Sequence, residues 1–231
     1  MTEEELLKNY PRLYHMAEDA SWKSVVEHGL LSTTALLDLY GFKGEERRKL
    51  ESERRPESVK ISRKGLPEAV VRDQKPMTRS RLKECLTDGT TPEQWFETLN
   101  ARVFFWLSKD RLQTLLGARA YRNKPQTVIT LDTASLVKSH RDIITLSPIN
   151  SGATLWTPVP RGRDTFTSIA DFPFEYRRKV KKKAIKDAVV ELTVMGGVPD
   201  IEAHALAAHR VFKGEKTVLW RRKGSDPSEG P

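Results

Sequence analysis

The chain has 231 residues with a formal net charge of +9, 38% hydrophobic and 31% charged residues. That length holds one substantial domain and buries a core without covalent staples, and a composition with five tryptophans excludes a disordered chain. One cysteine, Cys85, excludes an intrachain disulfide and a cysteine-rich zinc site, and no apolar run approaches the roughly 20 residues that span a bilayer. The acidic start "MTEEELLKNY" is unlike a secretory leader, so a cytoplasmic protein without membrane contact is expected.

In chain order, Thr2 followed by Glu5 forms a capping box for a short helix closed by Pro11. "RLYHMA" reads as a strand, and Trp22, Val25, Val26 and Leu30 fall at helical spacing before and across Gly29, which suits a helix end. Residues 43–88 are charged, interrupted by Pro56, Pro67 and Pro76, and weakly periodic, which predicts a basic insertion or long loop with short helices. Thr91, Pro92 and Gln94 start a helix, and "RVFFWLS" is a strand ending in Ser108, which caps the helix "KDRLQTLLGARAY". "QTVITLD" and "DIITLS" are further strands. A Pro-, Gly- and Thr-rich loop then leads into a basic helix at 176–186, and residues 187–198 form a strand with a Gly-Gly end. "AAHRVF" and "KTVLWRR" add two strands, and the tail 223–231 is expected to be disordered. Residues 1–222 are expected to form a single domain. Helices and strands mix without steady βαβ alternation, so the fold class is α+β with a split, mainly antiparallel sheet and flanking helices.

The charge is uneven. Residues 43–83 hold fourteen Lys/Arg against seven Asp/Glu, and "YRRKVKKKAIK" at 176–186 holds seven more basic residues, the footprint of nucleic-acid contact or of a solvated basic face. The common phosphate-binding and hydrolase motifs are absent, and His204 and His209 are spaced wrongly for shared metal ligation on one helix face, so no metal is expected. What remains is a trio: His15 at the first strand, Arg102 with aromatics in the middle strand, and Glu191 inside "AVVELTV". An ionised carboxylate in a β-branched run is costly unless it faces a cleft, although strand alternation alone also places Glu191 on a wet face, and His15 is equally readable as a histidine at the core edge.

Three segments carry a resemblance. "LYHMAEDASWKSVVEHGLLST", "ARVFFWLSKDRLQ" and "AVVELTVMGGVPDIEAHALAAHRV" resemble, in order, the three motifs of the ADP-ribosyltransferase superfamily, and the first is most similar to the DarT-type bacterial nucleic-acid-modifying group. The resemblance implies an ADP-ribosyltransferase-like fold and NAD as co-substrate, with nicotinamide released and ADP-ribose passed to an acceptor, here DNA or RNA. It implies a toxin or defence component with a possible antitoxin partner. Glu191 takes the catalytic place, and His15, Arg102, Tyr14 and Ser32 (or its neighbour Thr33) hold NAD, with Phe104 or Phe105 as the apolar wall for the nicotinamide ring; one of the two phenylalanines is buried by alternation in any case. Arg161, Arg163, Trp156 and Phe166, in the loop ahead of Glu191, are the candidates for acceptor contact. The chain departs from the poly(ADP-ribose) polymerases in having no tyrosine hydroxyl at Phe104 and Phe105, and from arginine-specific modifiers in having Val189 two residues before Glu191. The alternatives are an RNA 2'-phosphotransferase, against which Glu191 counts, and a catalytically silent, basic nucleic-acid-binding domain.

Overall fold

A computed structural model describes residues 1–155 and 159–231. The first helix, α1 (Glu3–Asn9), starts at the capping box: the Glu5 amide donates to Thr2 Oγ1 at 3.1 Å and the Thr2 amide to Glu5 Oε2 at 2.8 Å. Then come β1 (Arg12–Glu18), α2 (Trp22–His28), β2 (Leu30–Leu31) and α3 (Thr33–Leu39), the last capped by Ser32 Oγ, which accepts from the Ala35 amide at 3.1 Å. The middle of the chain forms α4 (Gly44–Glu51), the short hairpin β3 (Val59–Ile61) and β4 (Ala69–Val71), α5 (Arg79–Cys85), α6 (Pro92–Asn100), β5 (Arg102–Trp106) and α7 (Lys109–Leu116). The remainder is β6 (Gln126–Asp132), α8 (Thr133–His140), β7 (Ile144–Ser147), α9 (Ile185–Ala188), β8 (Glu191–Met195), β9 (Gly197–Val198), α10 (Ile201–His204), β10 (Ala205–Phe212) and β11 (Glu215–Arg221).

The fold is α+β. Seven strands form one sheet in the order β11-β10-β6-β1-β5-β8-β7, every neighbouring pair antiparallel, with helices flanking it. Its two halves meet weakly. β1 pairs with β6 along its whole length, from Arg12 opposite Asp132 to Glu18 opposite Gln126, but meets β5 only at Tyr14 opposite Trp106. Strands that part after one pair leave backbone groups and side chains open to a cleft, and here the gap is bridged by a side chain: His15 Nδ1 lies 2.8 Å from the Phe104 carbonyl. The largest apolar cluster, with Leu13, Phe105, Ile129, Leu146, Leu192 and Val194, spans both halves and keeps them together.

Several expectations are corrected. Residues 43–88 carry the short helices α4 and α5, but also a hairpin that was not expected, whose Ile61 and Val71 close with Leu37 and Tyr40 into a core of their own. α8 follows β6 directly because Asp132 Oδ1 accepts from the Ala134 amide at 3.0 Å, capping a helix too short to show a full apolar period. The strand predicted from 142 begins at Ile144, after a 3-10 turn, Arg141–Ile143. Instead of a continuous basic helix over 176–186 there is a π turn (Tyr176–Val180), a break and α9, since the Arg177 guanidinium turns inward to donate to the carbonyls of Ala188 at 2.5 Å and Pro148 at 2.7 Å. The strand expected over 187–198 is accordingly limited to β8 and β9. The tail is not disordered: Arg12 Nη2 and Glu229 Oε1 are 2.6 Å apart, and Gly230 packs so closely on the His209 ring that an added Cβ would lie 2.9 Å from it.

Candidate functional site

A cleft of about 640 Å³ opens where β1 and β5 part. That volume is in the range of small-molecule and cofactor sites. His15, Arg102, Phe104, Glu191, Ser32 and Thr33 all line it. A second hollow, larger at about 910 Å³ and more open, lies around α1 and residues 168–176 and, among the described residues, contains none of the predicted site residues; the smaller cleft is the one that holds strongly shifted ionisable groups, His15 and Glu191, and chemistry follows such groups rather than volume.

His15 is half-buried by area, yet its ring sits at the bottom of a concavity surrounded by protein. Burial pushes its pKa down to about 4, against a smaller opposing effect of the Phe104 hydrogen bond. The ring is therefore neutral near pH 7, and because a carbonyl only accepts, the proton sits on Nδ1 and the lone pair on Nε2. Phe105, with its centroid 5.6 Å from the imidazole, props the ring from the core side.

Glu191 opens β8 opposite Trp106 and Ser147 and is 3% exposed. Both carboxylate oxygens lie 3.2 Å from the Ser151 amide. Burial raises its pKa to about 7, while Ser151 and the cations of Arg161 and Arg111 pull it back. The group thus titrates in the range where a carboxylate is useful for catalysis. The residue that holds its loop is one the sequence offered for acceptor contact. Arg161 is 3% exposed, with Nη1 donating to the Ser151 carbonyl at 2.9 Å and Nε to the Val159 carbonyl at 3.1 Å. A long polar side chain that donates to two carbonyls fixes the segment that presents the Ser151 amide to Glu191, so Arg161 is turned into the protein and not toward its surface.

Arg102 begins β5. Its Nη1 donates to the Thr98 carbonyl at 2.6 Å, its Cζ lies 4.5 Å above the Phe166 ring, and its Nε is buried without a hydrogen-bond partner. Burial lowers its pKa, but a guanidinium stays charged, leaving a cation with spare donors at the cleft. Phe104 lines the cleft, and Phe166 supports it from behind at 6.1 Å in an edge-on arrangement. Phe105 and Tyr14 do not reach the cleft: Phe105 is in the main core, and Tyr14 packs with Leu112 and Val128 on another face. Phe166 is buried with Trp95 and Phe96, whereas Arg163 is exposed. Trp156 lies outside the described residues.

The basic segment 43–88 supplies one wall. Arg55 donates to the carbonyls of Arg72, at 3.0 Å, and Leu50, and at 2.8 Å to Asn100 Oδ1; Arg72 donates to the Met16 carbonyl at 3.1 Å and to Gln126 Oε1 at 2.8 Å. Both line the cleft, and the charge excess of the segment was the only sequence signal for them. The floor is formed by Leu30 and Leu31 of β2, which pairs with β9, Leu30 opposite Val198 and Leu31 opposite Gly197. Gly197, at φ 144°, approaches so closely that a Cβ there would lie 2.6 Å from the Leu30 carbonyl oxygen. Gly197→Ala is expected to lower the Tm by several degrees, as calorimetry would show, because backbone, not a movable side chain, meets the added methyl.

Residues 11–205 match DUF7002, a family of unknown function, and the chain belongs to that family. The matched span contains every cleft residue named above. No curated protein matches the chain. Among the described residues no helix is long and apolar enough to cross a membrane.

Proposed function

We propose that the chain is an NAD-dependent ADP-ribosyltransferase acting on nucleic acid. The observation that carries this is the meeting, in one cleft at the split of the sheet, of a neutral histidine with a free Nε2, a guanidinium with spare donors, an apolar ring and a buried carboxylate, drawn from β1, β5 and β8. The cleft fits the co-substrate by its donor set. Arg102 suits a pyrophosphate, His15 Nε2 accepts from a ribose hydroxyl, and Phe104 offers a face to a pyridine ring. The buried, unpartnered Nε of Arg102, at the cleft, is a polar atom that a ligand would satisfy.

NAD would supply the ADP-ribosyl group, and positive charge develops on the ribose as the bond to nicotinamide breaks. Glu191 places an ionised carboxylate in a water-poor site, where it stabilises that charge more than it does the neutral ground state. The Ser151 amide and Arg161 keep the carboxylate in place. His15, locked by the Phe104 carbonyl, orients one ribose, and Arg102 neutralises phosphate charge. The acceptor side is supported by the exposed lysines 181–183 beside the π turn and by exposed Arg163, cations suited to a phosphodiester backbone.

Two expected results follow from Glu191. Nicotinamide release should rise with pH through about 7 as the carboxylate ionises, while His15, with a pKa near 4, stays neutral across that range. A flat profile between pH 5.5 and 8.5 would contradict the role. Replacing Arg161 with Met removes a neighbouring cation, so Glu191 should titrate higher and the rising limb should move to higher pH, alongside a loss of stability from the freed Ser151 carbonyl. The direct test is nicotinamide release from NAD with single-stranded DNA, duplex DNA, RNA or a protein extract as acceptor.

A further inference from the structure

Away from the cleft, α8 and α10 bring together three groups that sequence spacing could not connect. His140 ends α8, Asp200 precedes α10 and His204 ends it. His140 Nε2 lies 2.6 Å from Asp200 Oδ1, and His204 Nε2 lies 3.1 Å from Asp200 Oδ2. The ligand atoms of all three fall within 4.8 Å of one another. His204 is 2% exposed, and its other nitrogen, Nδ1, is 2.8 Å from Ser135 Oγ, which itself donates toward the Ala203 carbonyl at 3.4 Å. When the serine proton goes to that carbonyl, the hydroxyl accepts the Nδ1 proton and the Nε2 lone pair faces the Asp200 carboxylate, the tautomer in which a cation can sit between them. A histidine whose outer nitrogen is held by a hydrogen-bond partner is also the usual state of a metal ligand.

We infer that His140 Nε2, the Asp200 carboxylate and His204 Nε2 bind a divalent transition-metal ion of the zinc type, with water completing the coordination. Two imidazoles and a carboxylate suit such an ion. Tetrahedral ligation at about 2.0–2.1 Å needs ligand atoms roughly 3.3 Å apart; Asp200 Oδ2 and His204 Nε2, at 3.1 Å, already stand near that spacing, whereas Asp200 Oδ1 has to draw back from His140 Nε2, now at 2.6 Å. Asp200, whose side chain is 45% exposed, has room to adjust and leaves an open side for water. None of the three lines the cleft. The ion would instead tie α10, and through it β9 and the cleft floor, to α8.

The test uses the full chain treated with a chelator and then titrated with Co²⁺ and Zn²⁺. One equivalent of Co²⁺ should develop visible absorption that Zn²⁺ bleaches, and Zn²⁺ at ~100 times its Kd should raise the Tm by about 5–10 °C. Both responses should disappear in Asp200→Asn and in His140→Gln. These two positions border solvent, so the variants should fold where a change at buried His204 need not. Glu191→Gln should keep the metal response in full, which separates this site from the transferase cleft. No absorption at stoichiometric Co²⁺, or a response that survives both variants, would overturn the assignment and leave the three residues as a hydrogen-bonded clamp.

Discussion

Replacing Glu191 with Gln should lower nicotinamide release by about 10²–10³-fold, the cost typical of removing one group that stabilises transition-state charge, with the folded structure intact. The amide has nearly the same shape, and its carbonyl oxygen accepts from the Ser151 amide as the carboxylate does. Stability at alkaline pH should not fall. The folded pKa of about 7 stands above the ordinary value of 4.5, so protonated Glu191 favours the folded state; that contribution is complete below about pH 4.5 and is lost as pH rises through 7. At pH 8 the native protein therefore carries a buried carboxylate that the glutamine variant does not. Calorimetry at pH 6 and pH 8 should show the wild type losing more Tm over that interval than the variant. A fall of several degrees in the variant at pH 8 would mean that Glu191 is a structural anchor.

The two adjacent phenylalanines should respond in opposite ways. Phe105, 1% exposed and packed among core residues under the His15 ring, should lose about 3–5 kcal/mol on truncation to Ala, the transfer and cavity cost of a buried aromatic. Phe104→Ala should cost less stability, because its ring is half-buried at the cleft, and should instead raise KM for NAD. Denaturant unfolding and initial-rate kinetics on both variants decide the matter. Equal stability losses with unchanged KM would remove Phe104 from the site.

This pair shows how far the sequence alone leads. Alternation along β5 states that one phenylalanine is buried, but which one depends on how β5 meets β1, and that contact is a single residue pair. Glu191 was legible because a carboxylate in a β-branched run demands an explanation, and the capping boxes of α1 and α6 because they are local. The wall built by residues 43–88 was not, since strands of three residues carry too few positions to show alternation. Arg161 misled for a similar reason. A basic residue in a Pro- and Gly-rich loop looks solvent-facing until two carbonyls from the fold come within its reach. His140 and Asp200 stand 60 residues apart, and only the packing of α8 on α10 joins them.

The most direct test of the transferase account is acceptor-dependent release of nicotinamide from NAD by the wild-type chain, with Glu191→Gln alongside. Release that requires a nucleic acid, falls with added salt and drops by two or more orders of magnitude in the variant is the predicted result. No release with any nucleic acid or protein acceptor, together with no rise in Tm on adding NAD, would contradict it and leave a basic nucleic-acid-binding domain in which His15 and Glu191 are structural.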